Sequence, residues 1–237
     1  MPHRSLRALT TRPALTLLCA VAALLAIGGG TACAQGNIAT HDYTGQPGNQ
    51  ATTPASNVAT GLTASDIARS SDLVLDSQAG TMSATNWPTT ATLANINLGF
   101  YTFTLTPTSG FVLNLSQLQI PLLRTGAGPG QVVVRSSLDN FATNIAAPFT
   151  PPTGNSLSTY TVDLTAPGFQ NLTSPITFNV YGYNANNSVG SLRFYPNTVV
   201  TGTVTPVPEP ALALSAAGLA AGLAGLYRRA RRAPCAP

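Results

Sequence analysis

Side chains capable of acid–base or nucleophilic chemistry are sparse in this chain. One histidine of the central region, His41, is followed directly by Asp42, and serines are plentiful elsewhere. Adjacent residues on a strand point to opposite faces, so this imidazole and this carboxylate would diverge. No Gly-x-Ser-x-Gly motif accompanies them. A solvated histidine near the start of the domain is the better interpretation, and a hydrolase is the least favoured class of function.

Two aspartates four residues apart, Asp72 and Asp76, raise the question of a glycosidase. Such an enzyme needs two carboxylates facing each other across a cleft. On a strand both aspartates would share a face and point to water, with Leu73 and Leu75 pointing inward. Together with Asp66 they could instead give oxygen ligands to a structural Ca²⁺, although no EF-hand pattern is present. We predict a non-enzymatic domain that requires no cofactor or metal.

Aromatic residues offer a second kind of chemistry, because sugar-binding modules lay Trp and Tyr rings flat on a surface to stack on pyranose faces. The candidate stacking residues are Trp87, Tyr181 and Tyr183, with Tyr195 as a further ring. Tyr181 and Tyr183 would share one face of a strand and could form an exposed aromatic strip. The alternative is that these rings fill the edge of a second sheet or pack under a loop.

The strands that would position these residues show in the alternation of apolar and polar residues. Tyr101, Phe103 and Leu105 alternate with threonines, which is the period of a strand with one face on a core and one in water. A second run begins at Phe111 and shifts its phase at Leu118. Such a shift predicts a β-bulge or a bend between two strands.

Further short strand candidates follow, separated by segments rich in Gly, Pro and Asn. They are QVVVRSS, STYTVDL, ITFNVYGYN, SLRFYP and TVVTGTV, and an earlier one covers residues 38–43. Residues 65–76 are expected to form a connector. Short strands at this spacing without a long helical pattern predict an all-β fold, an antiparallel β-sandwich of jelly-roll-like form. An immunoglobulin-like topology stays open, although the Cys-Trp-Cys constellation is missing.

The distribution of charge argues against a nucleic-acid partner. The formal net charge is +4 with no lysine, and seven of the eleven arginines lie near the two ends of the chain. The central region has four arginines and six aspartates and is mildly acidic, so it offers no basic stripe to phosphates. Within it, Arg135 and Asp139 are candidates for a local salt bridge.

The first 34 residues have the organisation of a secretory signal peptide. A basic segment precedes an apolar run over residues 14–27, and Ala32 and Ala34 are the small residues that signal peptidase accepts, leaving Gln35 first. The Sec translocon and signal peptidase are thus expected partners. Alternatives are a retained membrane helix and lipoprotein processing at Cys33, where Gly30 replaces the expected branched residue.

The C-terminal residues combine a spacer, an apolar run and a basic cluster. Residues 211–226 would form a helix about 24 Å long, slightly short for a hydrocarbon core of about 30 Å. The spacer consists of Val207, Pro208, Glu209 and Pro210, and the cluster of Arg228, Arg229, Arg231 and Arg232. Arginines beside a membrane helix remain cytoplasmic, which places the central domain on the outer side.

This tail resembles the PEP-CTERM sorting signal of Gram-negative bacterial proteins. The resemblance implies processing near Pro208 to Pro210 by an exosortase, transient anchoring in the inner membrane, and delivery to the cell surface or extracellular matrix, often with exopolysaccharide or biofilm. It divides the chain into a signal peptide over residues 1–34, an extracellular domain over 35–205 and a sorting signal over 206–237. Extracellular polysaccharide is the expected partner of the domain, and a carbohydrate-binding module with an aromatic platform is the alternative function.

Overall fold

Antiparallel strands form nearly all of the regular structure in the computed structural model, which describes residues 36–93 and 95–207. The strands are β1 (Gly36–His41), β2 (Thr52–Thr53), β3 (Ala55–Ser56), β4 (Leu62–Ala64), β5 (Ile67–Arg69), β6 (Val74–Leu75), β7 (Met82–Thr85), β8 (Phe100–Pro107), β9 (Phe111–Arg124), β10 (Pro129–Ser136), β11 (Ser158–Asp163), β12 (Ile176–Ala185), β13 (Leu192–Phe194) and β14 (Thr198–Pro206). Two 3-10 turns, Ser137–Asp139 and Pro167–Phe169, interrupt them. Within the described ranges, no helix has the length and apolar character needed to cross a membrane.

The strands form two sheets that enclose one hydrophobic core. The larger, eight-stranded sheet has the order β3-β1-β14-β9-β13-β7-β6, with β11 also paired to β9. The smaller, six-stranded sheet has the order β10-β12-β8-β5-β2, with β4 also paired to β8. Buried residues of both sheets, Ile120 of β9 and Phe178 of β12 among them, belong to one apolar cluster. The predicted all-β antiparallel sandwich is therefore confirmed.

The alternation read in the sequence is realised in β8. Tyr101, Phe103 and Leu105 are at most 1% exposed, and the threonines between them lie on the opposite side. The neighbouring strand β12 contains Gly182, where a Cβ atom would lie 2.6 Å from Cε3 of Trp87. A glycine is required at this position because the indole ring packs directly against the strand.

The phase shift in β9 is a β-bulge within one continuous strand. Thr201 of β14 pairs with Gln117 and the next residue, Gly202, pairs with Leu115, so Ser116 has no partner in the ladder. The bulge shifts by one residue which side chains of β9 point to the core. Leu115 before it and Leu118 after it are therefore both buried. Of the two predicted possibilities, the bulge is correct.

Residues 65–76 are more ordered than a connector, since they include β5 and β6. The expected pairing of Arg135 with Asp139 is wrong, because the two side chains have different partners. Arg135 donates to Oδ1 of Asn144 at 2.7 Å, and Asp139 accepts from the backbone N–H of Thr143 at 2.9 Å.

Both terminal segments fall outside the described residues. This applies to the predicted cleavage residues Ala32, Ala34 and Gln35, and to the predicted sorting residues Pro208, Glu209, Pro210, Arg228, Arg229, Arg231 and Arg232. Val207 is described and is 45% exposed. Its N–H donates to the carbonyl of Gly110 at 2.8 Å, so the ordered fold extends to the start of the Pro-Glu-Pro motif.

Candidate functional site

His41 is fully buried, which makes the prediction of a solvated side chain wrong. Its Nε2 atom donates to the carbonyl of Ser65 at 3.0 Å, and its ring lies 5.3 Å from that of Phe103. The histidine is covered because its ring points into the interior, against Phe103 of β8 in the smaller sheet. Burial lowers the pKa of His41 below its usual value. Asp42 is exposed, so the two side chains diverge as predicted and form no catalytic pair.

The two aspartates, predicted to face water, are only partly exposed and are engaged in structural contacts. Asp72 Oδ2 accepts from the N–H of Gly99 at 2.9 Å, and Asp76 Oδ2 accepts from the hydroxyl of Ser83 at 2.6 Å. Leu75, predicted to point inward, is 50% exposed because β6 is a two-residue edge strand. In the described ranges no three His, Cys, Asp or Glu side chains come together as potential metal ligands.

The three predicted stacking residues are buried, so none offers a ring face to a ligand. Trp87 is 2% exposed, donates from Nε1 to the carbonyl of Ala84 at 2.7 Å, and meets Tyr101 edge-on at 5.4 Å. Tyr181 is fully buried and Tyr183 is 8% exposed. The exposed aromatic strip is therefore wrong: Tyr181 and Tyr183 pack under a loop, the predicted alternative, whereas Trp87 lies in the main core.

The covering loop comprises residues 86–93 and 95–99 and lies on the outward side of the smaller sheet. Carbonyls of this loop, at Pro88 and Thr90, accept backbone hydrogen bonds from β12 at 3.0 and 2.9 Å. Tyr181 donates its hydroxyl hydrogen to the carbonyl of Ile96 at 2.9 Å. We call the apolar group beneath this loop the covered cluster, which contains Val133, Tyr181 and Tyr183 with Phe100 and Leu93 packed against them.

The outward side of the larger sheet has a different composition. Four polar side chains lie directly opposite one another in register on β1, β14, β9 and β11: Asn37, Thr201, Gln117 and Asp163. Gln119, two residues further along β9, pairs with Thr161 and donates from Nε2 to Oε1 of Gln117 at 3.1 Å. We call these six residues the outer face. Only one of its six side chains is ionisable.

A cleft opens at each end of this surface. The bulge cleft, of about 470 Å³, lies where β9 departs from regular pairing, and is lined by Gly36, Asn37, Ser116, Gln117, Thr165 and Thr201. All of its side chains are neutral and polar. The bulge thus creates a concave site from residues whose types alone carry no catalytic chemistry.

The Tyr195 cleft, of about 280 Å³, lies at the other end of β9 and includes Arg193, Tyr195 and Leu123. The outward-pointing residues of β9 run from Gln117 at the bulge cleft to Leu123 at the Tyr195 cleft. At the rise per residue of a β-strand, these two residues are about 20 Å apart. The N–H of Tyr195 donates to the carbonyl of Pro121 at 2.8 Å, which fixes the tyrosine beside β9. Of the four aromatic candidates, Tyr195 is the one that is half-buried and lines a cleft.

The outer face was missed from the sequence because neutral amides and hydroxyls on a strand are ordinary solvated residues. Its signal was nevertheless present in the threonine and glutamine alternation of QLQ, TYTVD and TVVTGT. What the sequence does not contain is the register, which brings residues 37, 117, 163 and 201 into one row.

Comparison with known proteins adds no assignment. No family model matches the chain, and no curated protein sequence matches it. One similar solved structure is the N-terminal cellulose-binding domain of β-1,4-glucanase C from Cellulomonas fimi, with 11% identity and a TM-score of 0.32 over 63% of this chain and 90% of that domain. A TM-score at this level carries no argument about the ligand of this chain.

Proposed function

We propose that this protein is an exported, non-enzymatic β-sandwich that binds extracellular polysaccharide through its outer face. The observation that carries the proposal is the register of neutral hydrogen-bonding side chains across four adjacent strands, with a cleft at each end. A surface of this kind is matched to a long, hydrated and weakly charged chain.

The chemistry of the outer face supports this class of ligand. A glutamine amide has two N–H donors and a carbonyl acceptor, and a threonine hydroxyl both donates and accepts. Sugar hydroxyls have the same dual character, so Gln117, Gln119 and Thr201 can exchange bonds to water for bonds to a glycan. The strands hold these side chains at fixed spacing, which reduces the conformational entropy lost on binding.

Two further observations support a binding function over catalysis and over aromatic stacking. The carboxylates of Asp72 and Asp76 accept hydrogen bonds from Gly99 and Ser83, and His41 is buried away from either cleft. Trp87 fills the core. The proposed binding surface therefore consists of amides and hydroxyls, and not of the exposed aromatic rings that the sequence suggested.

The test is an array of neutral and acidic polysaccharides probed with the purified full-length protein and two variants. We expect the wild type to bind at least one polysaccharide and the double substitution Gln117→Ala, Gln119→Ala to reduce that binding at least tenfold. Gln131→Ala is the matched control, since it removes a glutamine from β10 of the smaller sheet. Absence of binding to every polysaccharide, or equal loss with the control variant, would overturn the proposal.

We also propose that the tail directs delivery, with a jelly-roll-like domain placed between a signal-peptide helix and a C-terminal membrane helix. Support comes from the Pro-Glu-Pro motif beginning directly after exposed Val207, where an exosortase would have access. Glu209→Ala, combined with replacement of the four tail arginines by glutamine, is expected to retain the protein in the inner membrane with its tail uncut. Unchanged surface delivery and tail cleavage would show that these residues are not a sorting signal.

A further inference from the structure

We propose that the Tyr195 cleft is a subsite for an acidic sugar, a uronic acid residue of the bound polysaccharide. The inference rests on the proposed function, because it specifies the charge of one sugar unit in the polysaccharide that the outer face is proposed to bind. It concerns the C-terminal end of β9, where an arginine and a half-buried tyrosine line one concavity.

Arg193 differs from the other arginines of the described ranges in its hydrogen bonds. Arg69 donates to the carbonyl of Gly48 at 2.7 Å, Arg124 to that of Pro151 at 3.0 Å, and Arg135 to that of Phe141 at 3.0 Å. Arg193 donates no hydrogen bond to any residue that the structure describes. Its contact is a partly exposed ion pair of 3.8 Å with Asp76, and its Nε atom is buried without a partner.

The ion pair leaves the guanidinium available for a ligand. At 3.8 Å the two groups are beyond normal hydrogen-bond distance, and both side chains keep more than a fifth of their surface exposed. Partly exposed pairs of this kind contribute little to stability. Asp76 is held by the hydroxyl of Ser83 at 2.6 Å, so its carboxylate has a partner of its own.

The residues beside Arg193 suit a sugar ring. Tyr195 lies two positions further along, on the same outward side, and its hydroxyl forms no hydrogen bond with a described residue. Leu157 is 49% exposed and provides apolar surface, and Gln78 and Asn155 provide amide groups. One face of a pyranose can pack on the apolar atoms while its hydroxyls contact the amides.

The charge of Arg193 selects the acidic sugar. A guanidinium presents parallel N–H groups that match the two oxygens of a carboxylate, and such charge-assisted pairs are roughly twice as strong as neutral hydrogen bonds. A neutral hexose would leave this charge unused. A uronic acid has both the carboxylate for Arg193 and the ring for Tyr195.

The experiment compares polygalacturonate with its fully methyl-esterified form, which has the same backbone without the charge, by calorimetric titration of the full-length protein. We expect Arg193→Gln to weaken binding of polygalacturonate about tenfold and to leave the methyl ester unaffected, because only the ionic contact is lost. Tyr195→Ala should weaken both ligands. Asp76→Asn keeps the oxygen that accepts from Ser83 and removes a repelling charge, so it should strengthen binding of the acidic form.

Arg135→Gln is the matched control, since it changes the net charge equally on the smaller sheet. Equal affinity of wild type and Arg193→Gln for polygalacturonate would overturn the inference, as would binding of the ester alone. If the Gln117→Ala, Gln119→Ala variant still loses affinity in that case, the proposed function stands without the acidic subsite. Failure of the wild type to bind any polysaccharide would overturn both.

Discussion

The outward sides of the two sheets differ in what lies on them. On the smaller sheet, Tyr181 and Val133 point outward and are fully buried, because loop residues 86–93 and 95–99 cover them. On the larger sheet, Gln117 points outward from β9 and is exposed. Each of these residues points outward from a strand, so the difference in exposure comes from the loop that covers the smaller sheet.

The two outward sides differ in which side chains are accessible. The covered cluster uses its aromatic rings to attach the loop, which stabilises the sandwich and removes the rings from any ligand. The outer face uses side chains that remain hydrated, and its two clefts are available. We therefore expect substitutions in the covered cluster to alter stability and substitutions in the outer face to alter binding.

The largest effect is expected from Trp87→Ala. Truncation of a buried Trp leaves a cavity and typically lowers the free energy of unfolding by about 3–5 kcal/mol. The loss of the Nε1 hydrogen bond to Ala84 adds to it. Urea unfolding followed by circular dichroism measures the change, and Tyr195→Ala, at a half-buried ring, should lower stability much less. A folded Trp87→Ala variant that has lost only polysaccharide binding would contradict the assignment of this ring to the core.

The next largest loss of stability is expected when one hydroxyl group is removed from the covered cluster. Tyr181→Phe deletes a donor to the carbonyl of Ile96 and an acceptor for Nδ2 of Asn179, which is 5% exposed. Leaving buried polar groups without partners costs about 1–3 kcal/mol. Hydrogen exchange of residues 95–99 should accelerate as the loop loosens.

Tyr195→Phe is the matched substitution on the larger sheet. It removes the same hydroxyl from a residue whose hydroxyl bonds no described residue, and unfolding should be unchanged. Equal destabilisation by the two substitutions would remove the distinction between covered and open sides.

A pH-dependent effect is expected from His41. Burial lowers its pKa in the folded state, so the unfolded state, with a pKa near 6.5, binds the proton more readily. This contribution to stability is fully present above pH 6.5 and is lost as the pH falls toward the folded-state pKa, with a slope of at most about 1.4 kcal/mol per pH unit. Urea midpoints between pH 8 and pH 5 measure it. His41→Gln should make the free energy of unfolding less dependent on pH between pH 8 and pH 5. An unchanged dependence would show that other groups cause it.

Much of the fold could be predicted from the sequence because the longer strands keep a regular period. Tyr101, Phe103 and Leu105 are buried as their spacing predicts, and the bulge at Ser116 follows from the phase shift in β9. The two-residue strands could not be predicted, because two residues are too few to show an alternating pattern. For that reason the prediction that Leu75 points inward was wrong.

The candidate site was less predictable because burial depends on neighbours far along the chain. His41 is enclosed by its pairing with Ala55 and by the carbonyl of Ser65. Tyr181 is enclosed by residues some 85 positions earlier. Tyr195, just after β13, is instead half-buried and lines a cleft.

A very small change in stability is also expected from Gln119→Ala, which is the sharpest test of the difference between the two sheets. The side chain lies on the outward side of β9, and its amide donates to Oε1 of Gln117 at 3.1 Å, a hydrogen bond exposed to water. Exposed substitutions away from special features usually change stability by less than about 0.5 kcal/mol. Polysaccharide affinity should nevertheless fall, because one amide of the binding row is lost. Gln131→Ala on β10 should change neither quantity, and a loss of affinity in that variant alone would move the binding surface to the smaller sheet.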